Sequence, residues 1–171
     1  TPSHILLFHA LNQKPPQCAH LSLTMGADRT LLSKRHGAFS ISEYRKSDYL
    51  PEALLNYMIL LGWAPRNKKE KFKIDDIIDT FDIGTMSKAS SVFDQQKLDW
   101  LSGQYTREAD LERLTNLAIP YVQAAGFISA DENKIDRAHL SLIVDAVRNN
   151  MSCMSQIVQE ADIFFKDPVV S

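Results

Sequence analysis

The chain has 171 residues, of which 44% are hydrophobic, so it can bury a core as one domain or as two small ones. No uninterrupted apolar run approaches the length of a membrane span, and the N-terminus lacks a signal-peptide pattern, so no membrane role is predicted. The two cysteines, Cys18 and Cys153, have no paired spacing. They predict neither a disulfide framework nor a metal site, and a cytoplasmic protein with reduced thiols is expected.

Charge is distributed unevenly along the chain. The net charge of −2 argues against an indiscriminate nucleic-acid binder. However, residues 1–73 hold 11 basic and 5 acidic residues, whereas residues 74–171 hold 8 basic and 16 acidic ones. The first part is therefore expected to attract phosphates and the second to repel them in bulk.

The N-terminal stretch predicts one helix and one strand. Thr1-Pro2 is a cap followed by the position at which proline fits a helix, and Pro15-Pro16 is expected to stop that helix. Residues 20–25 alternate as a half-buried strand does, and residues 26–29 then supply a turn. We expect the segment that follows to extend from a small strand pair.

That segment is a short cationic loop, residues 31–37, with the sequence Leu-Leu-Ser-Lys-Arg-His-Gly. Adjacent positive side chains repel one another, so a fold tolerates them best in solvent or against an anion. One interpretation is a hydrated surface turn. The other is a phosphate clamp in which Lys34 supplies charge, Ser33 a hydroxyl and Gly37 the backbone freedom to close over a ligand.

Two helices and a basic run come next. Residues 40–43 match a capping box, and Pro51 occupies the first position of the second helix, which Gly62 is expected to end. The apolar stripe expected to be buried in this second helix is Leu54, Leu55, Met58, Ile59 and Leu61. Residues 66–73 contain five basic residues in eight, which indicates either an exposed linker or a contact with an RNA backbone. The charge asymmetry favours the RNA contact.

The acidic part of the chain predicts a bundle of helices. Residues 74–81 carry apolar side chains at i, i+3, i+4 and i+7, which predicts one buried face with the aspartates in water. Asp94 is a candidate cap for a helix that Gly103 is expected to end. Further helices are predicted over 111–125, with a kink at Pro120, over 140–147 and over 157–164.

Most catalytic signatures are missing from the sequence. It has no glycine-rich Walker loop, no two-histidine metal helix, no nucleophile elbow and no cysteine cluster, and no resident metal is predicted. Residues 85–88, Thr-Met-Ser-Lys, match the pattern of the cationic loop. They follow an acidic helix rather than a strand and have Ala89 in place of a second base, so Lys34 is preferred to Lys88 as the phosphate ligand.

Four segments, in this order and spacing, resemble bacterial glutamyl-tRNA synthetases of class I; they are residues 32–38, 49–57, 60–63 and 92–100. The resemblance spans essentially the whole chain. It implies that residues 1–68 are the end of a catalytic domain with its KMSKS-type loop and stem-contact helices. Residues 69–171 would be the first part of a helical anticodon-binding region. The implied fold is mainly α, a helical bundle preceded by a small α/β remnant with one or two short strands.

The resemblance also implies which residues act. Lys34 would be the catalytic lysine and, with Ser33 and Arg35, would bind ATP, which enters with Mg²⁺. The residues expected to contact tRNA(Glu) are Lys68, Lys69, Lys71, Trp100, Arg107 and Arg148. A place in the hydrophobic core is an equally open interpretation for Trp100.

Two hypotheses follow for function. The first is a fragment of a monomeric glutamate–tRNA ligase, which activates glutamate with ATP to glutamyl-adenylate and transfers it to the 3′ end of tRNA(Glu). The first half of such a catalytic domain has no counterpart here, so the fragment alone is expected to be inactive and at most to bind tRNA. The alternative is a stand-alone helical RNA-binding or protein-interaction module with a relic of the loop.

Overall fold

A computed structural model describes residues 1–32, 40–63, 65 and 69–165. The helices are α1 (Pro2–Ala10), α2 (Ile41–Lys46), α3 (Pro51–Gly62), α4 (Ile74–Thr80), α5 (Gln95–Glu108), α6 (Leu111–Ala124), α7 (Arg137–Val147) and α8 (Ile157–Glu160). The strands are β1 (Thr24–Met25) and β2 (Ser91–Val92). The predominance of helix, with one small two-stranded sheet, confirms that the fold is mainly α. In the described ranges, no helix has both the length and the hydrophobicity that crossing a bilayer requires.

The small sheet is shorter than the sequence pattern predicts. Thr24 pairs with Ser91 and Met25 with Val92 in parallel register. The strand predicted over 20–25 is therefore wrong for its first four residues, where Leu21 and Leu23 lie 66% and 60% exposed. Alternation alone does not make a strand there, because a strand also needs a partner for its backbone hydrogen bonds, and among the described residues the pairing with β2 begins only at Thr24.

The first helix begins at Pro2 as predicted but ends at Ala10, well before the two prolines. Asn12 adopts a left-handed backbone conformation, with φ of 52°, which turns the chain out of the helix. None of the residues of α1 is buried, and Leu6 and Leu7 are exposed.

The capping box before α2 is confirmed. The Ser40 backbone N–H donates to Glu43 Oε2 at 2.5 Å, so the carboxylate satisfies a backbone donor that lies outside the helix. Helix α3 begins at Pro51, as predicted, but its predicted apolar stripe is right only in part. Leu54, Ile59 and Leu61 are half-buried against apolar neighbours. The buried residues of α3 are Ala53, Asn56 and Tyr57, whereas Leu55 and Met58 are exposed.

Two further helix predictions need correction. Helix α5 does not end at Gly103 but continues to Glu108, and Gly103 is buried within it. A glycine inside a helix costs about 1 kcal/mol relative to alanine, which the buried side chains on both sides of it offset. In α4 only Ile77 is buried, while Ile74 and Ile78 are 50% and 71% exposed.

The predicted bundle is confirmed in its C-terminal half. Helices α6, α7 and α8 pack around one apolar core, and α6 continues through Pro120. All four apolar positions predicted for α7 are buried there: Leu140, Ile143, Val144 and Val147. A second core joins α2 and α3 to α5. It consists of Tyr44, Tyr57, Leu98 and Leu101.

Two tyrosines make this second core sensitive to alkaline pH. The rings of Tyr44 and Tyr49 pack edge to face at 5.4 Å, and the Tyr49 hydroxyl donates to Asp99 Oδ1 at 2.6 Å. Burial raises the pKa of Tyr44 to about 12 and also raises the pKa of Tyr49. Tyrosines of the unfolded chain lose their protons near pH ~10, so proton release favours unfolding above that pH.

The free energy of unfolding is therefore expected to fall as the pH rises from about 10 toward 12. Urea unfolding at several alkaline pH values measures this slope. A Tyr49→Phe variant should show a smaller fall than the unchanged chain, and an equal fall would contradict the contribution of Tyr49.

Candidate nucleic-acid interface

Residues 33–37 of the cationic loop, which include Ser33, Lys34 and Arg35, lie outside the described residues, as does Lys68. The described residues that precede and follow this part of the loop are held by backbone contacts. Leu31 forms an antiparallel bridge with Met25, and the Leu32 N–H donates to the carbonyl oxygen of Thr24 at 3.0 Å. The other end is Ser40, the cap of α2. The strand pair predicted to support the loop therefore adjoins it.

The second match to the loop pattern has a structural role. The Trp63 Nε1–H donates to Thr85 Oγ1 at 2.8 Å, and the Ser87 backbone N–H donates to the Gly62 carbonyl oxygen at 2.8 Å. Residues 85–87 thus pack against the end of α3. This placement favours the interpretation that Lys34, rather than Lys88, belongs to a phosphate site.

A groove of about 570 Å³ lies where the end of the basic run meets α5. Its lining residues are Glu52, Lys69, Lys71, Phe72, Lys73, Ile74, Asp76, Tyr105, Glu108 and Ala109. Two of the predicted RNA-contacting lysines, Lys69 and Lys71, are therefore brought together, and Lys73 joins them.

The lysines of the segment alternate with Glu70 and Phe72, whose side chains have other partners. Residues 69–73 precede α4 without belonging to a helix. Phe72 is buried against Trp63 and Ile77. The carboxylate of Glu70 accepts from the Lys97 ammonium at 2.6 Å, away from the groove. Lys69, Lys71 and Lys73 line the groove together with Phe72.

Lys71 is held by three groups of the protein. Its ammonium lies 2.7 Å from Glu108 Oε1, donates to the Gln104 carbonyl oxygen at 3.0 Å and sits 4.7 Å from the centre of the Tyr105 ring. The hydrogen bond from Lys71 lowers the pKa of the Glu108 carboxyl. A cation held over an aromatic face and beside a carboxylate has a defined position before any ligand binds.

The groove also contains acidic partners that the sequence pattern did not reveal. Lys69 lies 3.8 Å from Asp76, and Glu52 forms a two-pronged ion pair with Arg113 at 2.6 and 3.2 Å. Three lysines and three carboxylates thus line the groove. A phosphate that bound to Lys69 or Lys71 would therefore compete with the carboxylate of Asp76 or Glu108.

Three predicted tRNA contacts lie on or near α5. Trp100 is 50% exposed, so the interpretation that places it in the core is wrong. Trp100 and Arg107 are seven residues apart on α5 and therefore share a face. Arg148 is held by Asp145 at 2.9 Å and donates to the Ala109 carbonyl oxygen at 3.4 Å, at the end of α5.

Sequence reasoning included Lys73 in the basic run but not among the residues expected to contact tRNA, and it missed Tyr105 and Glu108. Lysine occupies every second position from 69 to 73, and this alternation could have indicated that Lys73 accompanies Lys69 and Lys71. Tyr105 and Glu108 had no such signal, because they approach the groove from a helix more than thirty residues further along the chain.

Comparisons with known proteins connect this architecture to one family. Residues 1–100 match the family model described as tRNA synthetases class I (E and Q), catalytic domain. The glutamate–tRNA ligase of Desulforamulus reducens is 45% identical over 99% of this chain and 35% of its own length. That of Heliobacterium modesticaldum is 41% identical over 99% of this chain and 34% of its own length. The chain thus spans about a third of the length of these curated relatives.

Solved structures give the same result. A crystal structure of a glutamate tRNA ligase from Elizabethkingia meningosepticum, in complex with its amino acid, superposes with a TM-score of 0.77 at 28% identity. The glutamate-tRNA synthetase of Elizabethkingia anophelis gives a TM-score of 0.79 at 26% identity. Each comparison covers 98% of this chain and 36% of the solved one.

Proposed function

Because the chain belongs to the class I tRNA synthetases for glutamate and glutamine (E and Q), we propose that it is part of a glutamate–tRNA ligase. The observation that carries the proposal is that relatives bearing this name match 97–99% of the chain, well beyond the 100 residues of the family model. The parent would join glutamate to ATP, release pyrophosphate and then pass the glutamyl group to the 3′ end of tRNA(Glu), releasing AMP.

The proposed division of labour follows the two parts of the chain. Residues 1–68 would close the catalytic domain and contribute the loop, and residues 69–171 would begin the anticodon-binding region. The two parts share the core formed by Tyr57 and Leu98, so the division concerns function rather than independent folding. The parent is proposed to act as a cytoplasmic monomer, with ATP entering together with Mg²⁺.

The catalytic role is proposed for Lys34, with Ser33 and Arg35 as further ATP contacts. When the glutamate carboxylate attacks the α-phosphorus of ATP, negative charge builds up on the departing pyrophosphate. An ammonium group positioned there stabilises the transition state more than the ground state, which accelerates the step.

The tRNA contact is proposed for the lysine-lined groove and the neighbouring face of α5. Lys68, Lys69 and Lys71 would meet phosphates, while Trp100, Arg107 and Arg148 would contribute further contacts. The groove supports this because Lys69, Lys71 and Lys73 line it together, and the exposed indole of Trp100 offers a stacking surface.

Activation of glutamate by the full-length gene product tests the proposal. ATP–pyrophosphate exchange should require both glutamate and tRNA and should not proceed with other amino acids, and this chain alone serves as the negative control. Exchange that depends on a different amino acid, or no exchange with glutamate, would contradict the proposed substrate.

The pairing of Lys71 with Glu108 makes a prediction about RNA affinity. Glu108→Gln removes the carboxylate that competes with phosphate, and surface ion pairs are worth about 0.2–1 kcal/mol, so tRNA(Glu) should bind about 1.5- to 5-fold more tightly. Filter binding at low salt measures the change. Glu132→Gln, which removes the same charge outside the groove, should leave the affinity nearly unchanged, and equal effects of the two variants would contradict the groove.

A further inference from the structure

The basic segment that faces the groove is fastened to the body of the protein by one buried amide. Asn56 on α3 is 1% exposed. Its Nδ2–H donates to the Glu70 carbonyl oxygen at 2.8 Å, and its Oδ1 accepts from the Phe72 backbone N–H at 2.8 Å. The side chain thus holds the backbone on both sides of Lys71, as a neighbouring strand would.

A tyrosine completes this arrangement from the other helix. The Tyr105 hydroxyl on α5 lies 2.6 Å from Asn56 Oδ1 and 2.5 Å from the Phe72 carbonyl oxygen, and can donate its one proton to either. The ring of the same residue lies under the Lys71 ammonium. Burial raises the pKa of Tyr105, so the hydroxyl stays a donor at neutral pH.

These contacts fix the backbone of the basic segment in the absence of a ligand. A linker whose backbone is free loses conformational entropy when it binds a ligand, whereas a segment that is already fixed does not. Helices α3 and α5 hold residues 70–72 from two sides, so the position of Lys71 is set before RNA arrives.

We propose that Asn56 and Tyr105 are positioning residues for RNA binding: they fix residues 69–73 so that Lys69, Lys71 and Lys73 present a preformed row of charges to consecutive phosphates. This inference rests on the proposed tRNA contact of the groove. It goes beyond that contact by assigning a role to two side chains that need not touch RNA.

Tyr105→Phe tests the proposal because it removes the hydroxyl and leaves the ring beneath Lys71. Binding of a tRNA(Glu) transcript to this chain should weaken about 3- to 10-fold, and the salt dependence of binding should fall by about one unit of slope. Hydrogen exchange at the Phe72 amide should accelerate. The matched control is Tyr121→Phe, which removes a hydroxyl that donates to the Lys46 carbonyl oxygen at 2.6 Å outside the groove and should leave binding unchanged.

A double-mutant cycle separates positioning from a general structural effect. In a Lys69→Ala, Lys71→Ala, Lys73→Ala background, adding Tyr105→Phe should cause no further loss of affinity. A further loss equal to that in the unchanged chain would overturn the proposal. If the triple variant weakens binding but Tyr105→Phe alone does not, positioning is wrong and the groove contact stands. If the triple variant binds tRNA normally, the groove contact itself is wrong.

Discussion

Replacing Lys34 with alanine in the proposed full-length ligase is expected to slow glutamate-dependent ATP–pyrophosphate exchange by two or more orders of magnitude. Removing one preorganised group that stabilises developing negative charge costs about 3–4 kcal/mol of transition-state stabilisation, and about 1.4 kcal/mol corresponds to a tenfold change in rate. Because the proposed role of the ammonium is to stabilise charge that develops during the reaction, kcat should fall more than the apparent affinity for ATP.

Lys88→Ala is the matched control for this change. Lys88 belongs to the second copy of the pattern, and Thr85 and Ser87 of that copy pack against the end of α3. Exchange should therefore proceed at close to the normal rate in that variant. A slow Lys88→Ala enzyme with a normal Lys34→Ala enzyme would reverse the assignment.

The largest expected loss of stability comes from the core of the bundle, and α7 offers a matched pair of leucines. Leu140 is 2% exposed and Leu142 is 70% exposed on the same helix. Leu140→Ala removes buried methyl groups and leaves a cavity, so the free energy of unfolding should fall by about 2–5 kcal/mol. Leu142→Ala makes the same change in helix propensity at a site facing solvent, and should change the free energy by about 0.5 kcal/mol or less.

Urea unfolding of the two variants of this chain measures the difference directly. Because folded domains are stable by only about 5–15 kcal/mol, the Leu140→Ala variant should unfold at a distinctly lower urea concentration. Similar midpoints for the two variants would mean that α7 does not present Leu140 to the core.

The helices of the bundle were predictable because their signals are local. In α7 the spacing of four apolar residues identified the buried face correctly. In α4 the same kind of spacing was right only in part. Ile77 is buried with Trp63 and Phe72, and the ring of Phe81, just after the helix, lies 5.7 Å from that of Trp63. Ile74 and Ile78, in contrast, are exposed. Periodicity predicts which side chains could be buried, whereas the neighbouring elements decide which of them are.

Helix ends were likewise predictable where the signal was local and not where tertiary packing decided them. Ser40 and Asp94 were recognisable as caps because the residues that they serve follow within three positions. Gly103 was misread as an end because glycine is frequent there, but its neighbours Ser102 and Leu101 are buried and the helix continues. Tertiary packing outweighed a local preference.

The positive charges of the candidate site were predictable from the sequence, but the residues that contact those lysines were not. The row of lysines between residues 68 and 73 is visible in the sequence, and it indicated phosphate. The sequence does not show that Glu108 accepts from Lys71 or that Asn56 fixes the backbone beside it, because these partners lie 37 and 15 positions away from Lys71. Such contacts depend on how α3 and α5 pack together.

The most direct test of the account is the product that the full-length protein leaves on tRNA. After incubation with ATP, Mg²⁺, an equal mixture of amino acids and tRNA(Glu), mass spectrometry of the terminal adenosine identifies the attached group. A ligase of the proposed kind should leave a glutamyl ester on that adenosine. An unmodified end, or an ester of another amino acid, would contradict the assignment of this chain to a glutamate–tRNA ligase.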